Sequence, residues 1–83
     1  MLEKPGIEIE YCTQCKFLLR AAWVAHELLT AFQDRVGKVV LIPGSSGVFE
    51  IRVDGETLYS RKETHIFAES KELKRMLRDR IAA

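Results

Sequence analysis

In the run EIEYCTQCKFLLRAAW the side-chain period changes across two cysteines, and this junction constrains the fold more than any other part of the chain. Before it, Ile7 to Tyr11 alternate apolar and acidic residues, as a half-buried strand does. After it, Leu18, Ala21, Ala22, Ala25, Leu28, Leu29 and Phe32 recur at three- and four-residue spacings and predict one broad apolar helix face. Arg20, Glu27, Thr30 and Asp34 take the opposite side, and Gly37 is the expected helix stop. Cys12 and Cys15 therefore stand where a strand gives way to a helix.

The rest of the pattern completes a sheet. KVVLIPG is a short continuous apolar run and predicts a strand buried on both faces. SSGVFEIRV alternates again, and Asp54-Gly55 between FEIRV and ETLYS is a strong hairpin signal, because glycine tolerates the positive φ of a tight turn. RKETHIFAE has no period and is expected to be a loop. Ser70 is the expected cap of a last helix striped by Leu73, Met76, Leu77 and Ile81. With 83 residues the chain has room for one domain, residues 1–83. The element order is β-α-β-β-β-α, an α/β fold with a four-stranded mixed sheet and two helices. A right-handed crossover places the first strand centrally, in sheet order 2-1-3-4, with the helices on one face or split between both.

This order gathers three segments, YCTQC, PGSSG and RKETHIF, at one end of the sheet and puts the Asp54-Gly55 turn at the other. Thr13, Gln14, Lys16, Ser45, Ser46, Arg61, Lys62, His65 and Phe67 are the expected rim around the cysteines. A C-x-x-C at a helix start brings two sulfurs within disulfide reach, and the helix dipole with nearby Lys16 favours a thiolate there. Dithiol exchange needs that arrangement: one sulfur attacks and the other resolves. On a thioredoxin-like plan Cys12 attacks and Cys15 resolves.

Two other readings of the pair stand beside this one. Two unreactive small residues at a junction are one, since a free cysteine often serves as a small hydrophobe. A metal site is the other. Copper chaperones also carry C-x-x-C between a first strand and helix, but they end on a strand after the second helix, and they place Met where Glu10 stands here. A closed zinc site needs two further ligands, and His26 and His65 match no finger spacing. The expectation is no metal and no organic cofactor. His26 reads as a solvated residue at the helix border, and His65 as a loop residue at the rim.

Trp23 breaks the helix pattern, projecting with Leu19 away from the Leu18–Leu28–Phe32 stripe. Either loops cover it, or Leu19 and Trp23 form a docking surface near the cysteines for a partner or for a second copy of the chain. Charge gives no further lead: charged residues are 30% of the chain but sum to +1, so neither nucleic acid nor an anionic membrane is an expected partner. No apolar stretch approaches the roughly 20 residues that span a bilayer. MLEKPGIEIE lacks the basic start and apolar run of a signal peptide, so a cytoplasmic location is expected, where a lone cysteine pair is seldom a structural staple.

YCTQCKFLLRAAWVAHELL, followed by LIPGSSGVFEIRVDG and RKETHIF, resembles the bacterial cysteine-containing branch of the selenoprotein W-like (Rdx) family, which includes selenoproteins T, W and H. The resemblance runs from Ile7 to about Ile81. It implies a thioredoxin-like fold and thiol-based redox work linked to protein thiols and disulfides and to glutathione. Cys12 and Cys15 match the family's redox motif, and Gly47, Phe49 and Glu50 match its second motif. Selenium-containing relatives carry selenocysteine at the second position, where Cys15 stands, which implies that Cys15 attacks and Cys12 resolves. The order of attack stays open between this and the thioredoxin-like assignment. The chain departs from the family at Ile66-Phe67-Ala68, where relatives commonly have a Gly-Phe-Pro-like segment.

Overall fold

The computed structural model describes residues 4–82. The leaderless reading of the N-terminus falls partly on residues 1–3, which lie outside the described part, as does Ala83. The elements are β1 (Gly6–Cys12), α1 (Leu18–Phe32), β2 (Lys38–Gly44), β3 (Phe49–Val53), β4 (Glu56–Ser60), a short α2 (Arg61–Thr64) and α3 (Ser70–Ala82). The four strands form one mixed sheet in the order β2-β1-β3-β4. β1 runs parallel to β2 and antiparallel to β3, and β3 pairs antiparallel with β4. This α/β arrangement of a four-stranded mixed sheet with two main helices is consistent with a thioredoxin-like fold.

The alternation in the first strand is realised as read: Ile7, Ile9 and Tyr11 are buried. They join Phe49, Ile51 and Val53 of β3 and Tyr59 of β4 in a core that also takes Ala21, Val24, Leu28 and Phe32 from α1 and Leu73 and Leu77 from α3. Both helices thus pack on the same face, which settles the choice left by the sequence. On the other face Arg52 sits among three carboxylates, bonding Glu8 at 3.0 Å and Glu10 and Glu50 at 3.2 Å each. The bond to Glu8 leads these contacts in holding the guanidinium above its ordinary pKa.

Five expectations need correction. β2 is an edge strand and is not buried on both faces, because no layer covers its outer side and Val40 lies open. The apolar stripe of α1 is narrower than its spacing suggests: Leu18, Ala22 and Leu29 are exposed, because one sheet face and one neighbouring helix cannot cover so wide an arc. The helix ends at Phe32 and not near Gly37, since Val36 folds back into the core and Gly37 donates its N–H to the Pro5 carbonyl at 2.9 Å. The expected loop after β4 contains the helical turn α2, closed by the His65 N–H on the Arg61 carbonyl. Ser70 is the first residue of α3 and not its cap, for Leu73 N–H already bonds the Glu69 carbonyl at 3.0 Å.

The hairpin turn is as read. Asp54 and Gly55 both have positive φ, at 50° and 88°, as a tight two-residue turn requires. Asp54 adds a bond of its own, with Oδ1 accepting the Gly6 N–H at 2.9 Å.

Candidate functional site

Parallel pairing of β1 with β2 brings Cys12 opposite Gly44, so the first and second strands end side by side. Two backbone bonds then tie the cysteine segment to the turn after β2: Cys12 N–H to Val48 O at 2.8 Å and Thr13 N–H to Gly44 O at 3.2 Å. The segment closes on itself through Lys16 N–H to Thr13 O and Phe17 N–H to Cys12 O. Lys16 adopts a left-handed φ of 62° to make this turn. The helix begins only at Leu18, so Cys15 belongs to the turn and not to the helix, contrary to the expectation of cysteines at a helix start.

Cys12 and Cys15 are joined by a disulfide, with Cα atoms 5.3 Å apart, inside the normal range for such a bond. The two sulfurs are placed unequally. Cys12 ends a core strand and is 1% exposed, whereas Cys15 lies on the exposed turn. The Cys15 N–H donates to Cys12 Sγ at 3.3 Å, so the buried sulfur has a hydrogen-bond donor of its own.

Beside Cys15 opens a groove of about 460 Å³, lined by Lys16, Phe17, Leu19, Arg20, Trp23 and Phe67. Phe17, Phe49 and Phe67 meet edge to face, with Phe67 centroids 5.0 Å from Phe17 and 5.3 Å from Phe49. Two guanidiniums lie over this cluster, Arg20 at 4.0 Å and Arg61 at 4.8 Å from the Phe67 centroid. Arg61 Nε is buried there without a hydrogen-bond partner. Phe67 is held in turn by Tyr59. The Tyr59 hydroxyl donates to the Ile66 carbonyl and accepts the Ala68 N–H at 3.1 Å, clamping the backbone on both sides of the ring.

The structure brings Cys12, Cys15, Lys16, Phe67, Leu19 and Trp23 together, with Thr13 and Arg61 adjoining. Ser45 and Ser46 lie on the neighbouring turn, exposed, and Gln14 projects at the tip of the cysteine turn. Lys62 and His65 are exposed around α2 and do not line the groove. Trp23 is 54% and Leu19 81% exposed, so the reading in which loops bury Trp23 is excluded. Trp23 stacks on His26 at 5.8 Å. Sequence reasoning missed Phe17, Arg20 and Tyr59. Arg20 had a signal, lying three residues before Trp23 on one helical face; Tyr59 had none. Among the described residues no group of three or more His, Cys, Asp or Glu side chains is placed to hold a metal ion, and no helix is long and apolar enough to cross a membrane.

A two-layer α/β domain with a C-x-x-C disulfide at the end of its central strand suggests a redox-type class of protein. Within that class, the model of the Rdx family matches residues 6–79, and the chain belongs to that family. It is similar to a protein of known crystal structure from Bordetella parapertussis, 49% identical with a TM-score of 0.91, over 94% of this chain and 99% of that one. It is also similar to the crystal structure of a selenoprotein W-related protein from Vibrio cholerae, 43% identical with a TM-score of 0.91, over 95% of this chain and 99% of that one. No curated protein matches it.

Proposed function

We propose that this chain is a thiol–disulfide exchange protein of the cytoplasm, in which Cys15 meets the partner and Cys12 resolves. The observation that carries the reading is the unequal burial of the two joined sulfurs. A partner thiolate approaching the disulfide finds Cys15 Sγ on the surface and Cys12 Sγ within the fold. Attack on Cys15 forms a mixed disulfide and breaks the Cys12–Cys15 bond, whose electron pair leaves on Cys12 Sγ. The Cys15 N–H, already donating to that sulfur, stabilises the departing thiolate. A second partner thiolate then attacks the partner's own sulfur in the mixed disulfide, and Cys15 leaves as a thiolate. The partner is oxidised to a disulfide, this chain gains two electrons and the two protons of the partner's thiols, and the reverse path reduces a partner disulfide. Protein thiols and disulfides are the proposed partners, with glutathione as a small-molecule counterpart. No step calls on a metal or an organic cofactor.

Trapping tests the assignment. Cys12→Ser should retain mixed disulfides on Cys15, and Cys15→Ser should retain almost none; adducts gathered on Cys12 in the second variant would reverse the roles. A chain that never forms an internal or mixed disulfide in glutathione buffers of any potential would end the redox reading.

The bare Leu19–Trp23 surface favours a second reading, a docking module whose cysteines only regulate capture. Partner capture that depends on Trp23 and is indifferent to both thiols supports it.

A further inference from the structure

Resting on the exchange chemistry proposed above, we infer that the groove beside Cys15 selects a protein segment whose cysteine is flanked by an apolar side chain and a carboxylate. Charge and shape at the groove both call for this occupant. Its polar lining is cationic, from Lys16 and Arg20, and no carboxylate lines it. Among the described residues Lys16, Arg20 and the adjoining Arg61 form no ion pair, whereas Arg52, Lys74, Arg75 and Arg80 each have a carboxylate partner. Unpaired cations occur elsewhere on the surface as well, but at the groove two of them stand beside Cys15 with no carboxylate among the lining, so a carboxylate on the incoming chain is attracted there and a basic side chain repelled.

The apolar half of the groove asks for a side chain as well. Leu19 and Trp23 are four residues apart on one helical face, both largely exposed, and they run from the cysteine turn along α1. With Phe17 and Phe67 they give an apolar lining beside the sulfur, of the kind that seats an apolar anchor in a binding site. Glutathione supplies carboxylates but no such anchor. A protein segment supplies both, held within a few residues of its cysteine.

The test uses short peptides with one cysteine, each in mixed disulfide with thionitrobenzoate. Attack of Cys15 of the reduced chain on the peptide sulfur releases coloured thionitrobenzoate and joins the peptide to Cys15. Cys12 then displaces the peptide as a free thiol while the Cys12–Cys15 disulfide forms. Each rate is divided by that of dithiothreitol with the same probe, because flanking charge alters the intrinsic reactivity of a disulfide. A Glu-Leu-Cys peptide should react about tenfold faster than Lys-Leu-Cys and several-fold faster than Glu-Gly-Cys, with the charge preference shrinking at high salt. Arg20→Gln combined with Lys16→Gln should reduce the Glu-over-Lys preference, and Trp23→Ala the Leu-over-Gly preference, while Arg78→Gln, an exposed arginine of α3, should change neither. Equal normalised rates for all peptides, or a glutathione probe reacting as fast as Glu-Leu-Cys, would overturn the inference and leave the exchange reading standing. If no probe releases thionitrobenzoate, the exchange reading falls and the inference with it.

Discussion

The two faces of α1 are both apolar and meet opposite fates. On the inner face Ala21, Val24, Leu28 and Phe32 are between 0 and 5% exposed, sealed against the sheet and α3. On the outer face Leu18, Leu19, Ala22, Trp23 and Leu29 stay open to solvent. One face holds the fold together. The other begins beside Cys15 and has no counterpart within the described chain. Burial contributes roughly 25 cal/mol per Å² of apolar area, so the inner face contributes more to stability than the outer one, where Trp23 keeps 54% and Leu19 81% of its surface exposed. An apolar strip left bare beside the cysteine turn is the surface that the proposed partner docking uses.

The sharpest way to break this contrast is to truncate each face. Leu28→Ala should cost about 2–5 kcal/mol, by lost burial and the cavity it leaves, read as a fall in the urea midpoint. Little loss there would mean that the inner face is not the core. Tyr59→Phe links the two regions, because the Tyr59 hydroxyl clamps the backbone that carries Phe67 into the groove. Leaving the Ile66 carbonyl and Ala68 N–H without that partner should cost about 1–3 kcal/mol and speed amide exchange at Ala68.

Glu27 sharpens the comparison at the seam between α1 and α3, where Lys74 Nζ lies 2.8 Å from Glu27 Oε1. The hydrogen bond from Lys74, more than the pair's attraction, holds the Glu27 carboxyl below its usual range. Its contribution is therefore present above the unfolded pKa and lost as pH falls through the lower folded one. Glu27→Gln should lower the urea midpoint modestly at pH 7, and the difference from the parent should shrink as the pH falls below the ordinary carboxylate range. On the outer face Trp23→Ala should cost less than Leu28→Ala, about 1–2 kcal/mol, because 54% of Trp23 is already exposed, while weakening capture of protein partners. A Trp23→Ala variant that unfolds easily would place the outer face in the core after all.

Much of this was legible beforehand because it is written in periods and turns. Alternation in IEIEY, the Asp54-Gly55 turn and the strip through Leu73 and Leu77 each follow from local geometry, and chirality of the crossover then ordered the strands. What stayed hidden depends on what lies across from a residue. The run KVVLIPG reads as fully buried, yet its neighbours leave it at an edge. Leu18 and Leu29 fit the helix stripe and point past the surfaces that could cover them. At the site, the cysteine motif was plain from its spacing, but the unequal burial of its sulfurs follows from where β1 stops and the turn begins. Phe67 was placed at the rim by topology, whereas the roles of Tyr59, which clamps its backbone from the end of β4, and of Arg20, which overlies it from α1, emerge only once the chain is folded.

Competitive alkylation of the reduced chain tests the central claim most directly. With a limiting amount of iodoacetamide and peptide mapping by mass spectrometry, Cys15 should be modified at least about tenfold faster than Cys12, as exposure and burial dictate. Equal labelling, or faster labelling of Cys12, would contradict the assignment of Cys15 as the sulfur that meets the partner.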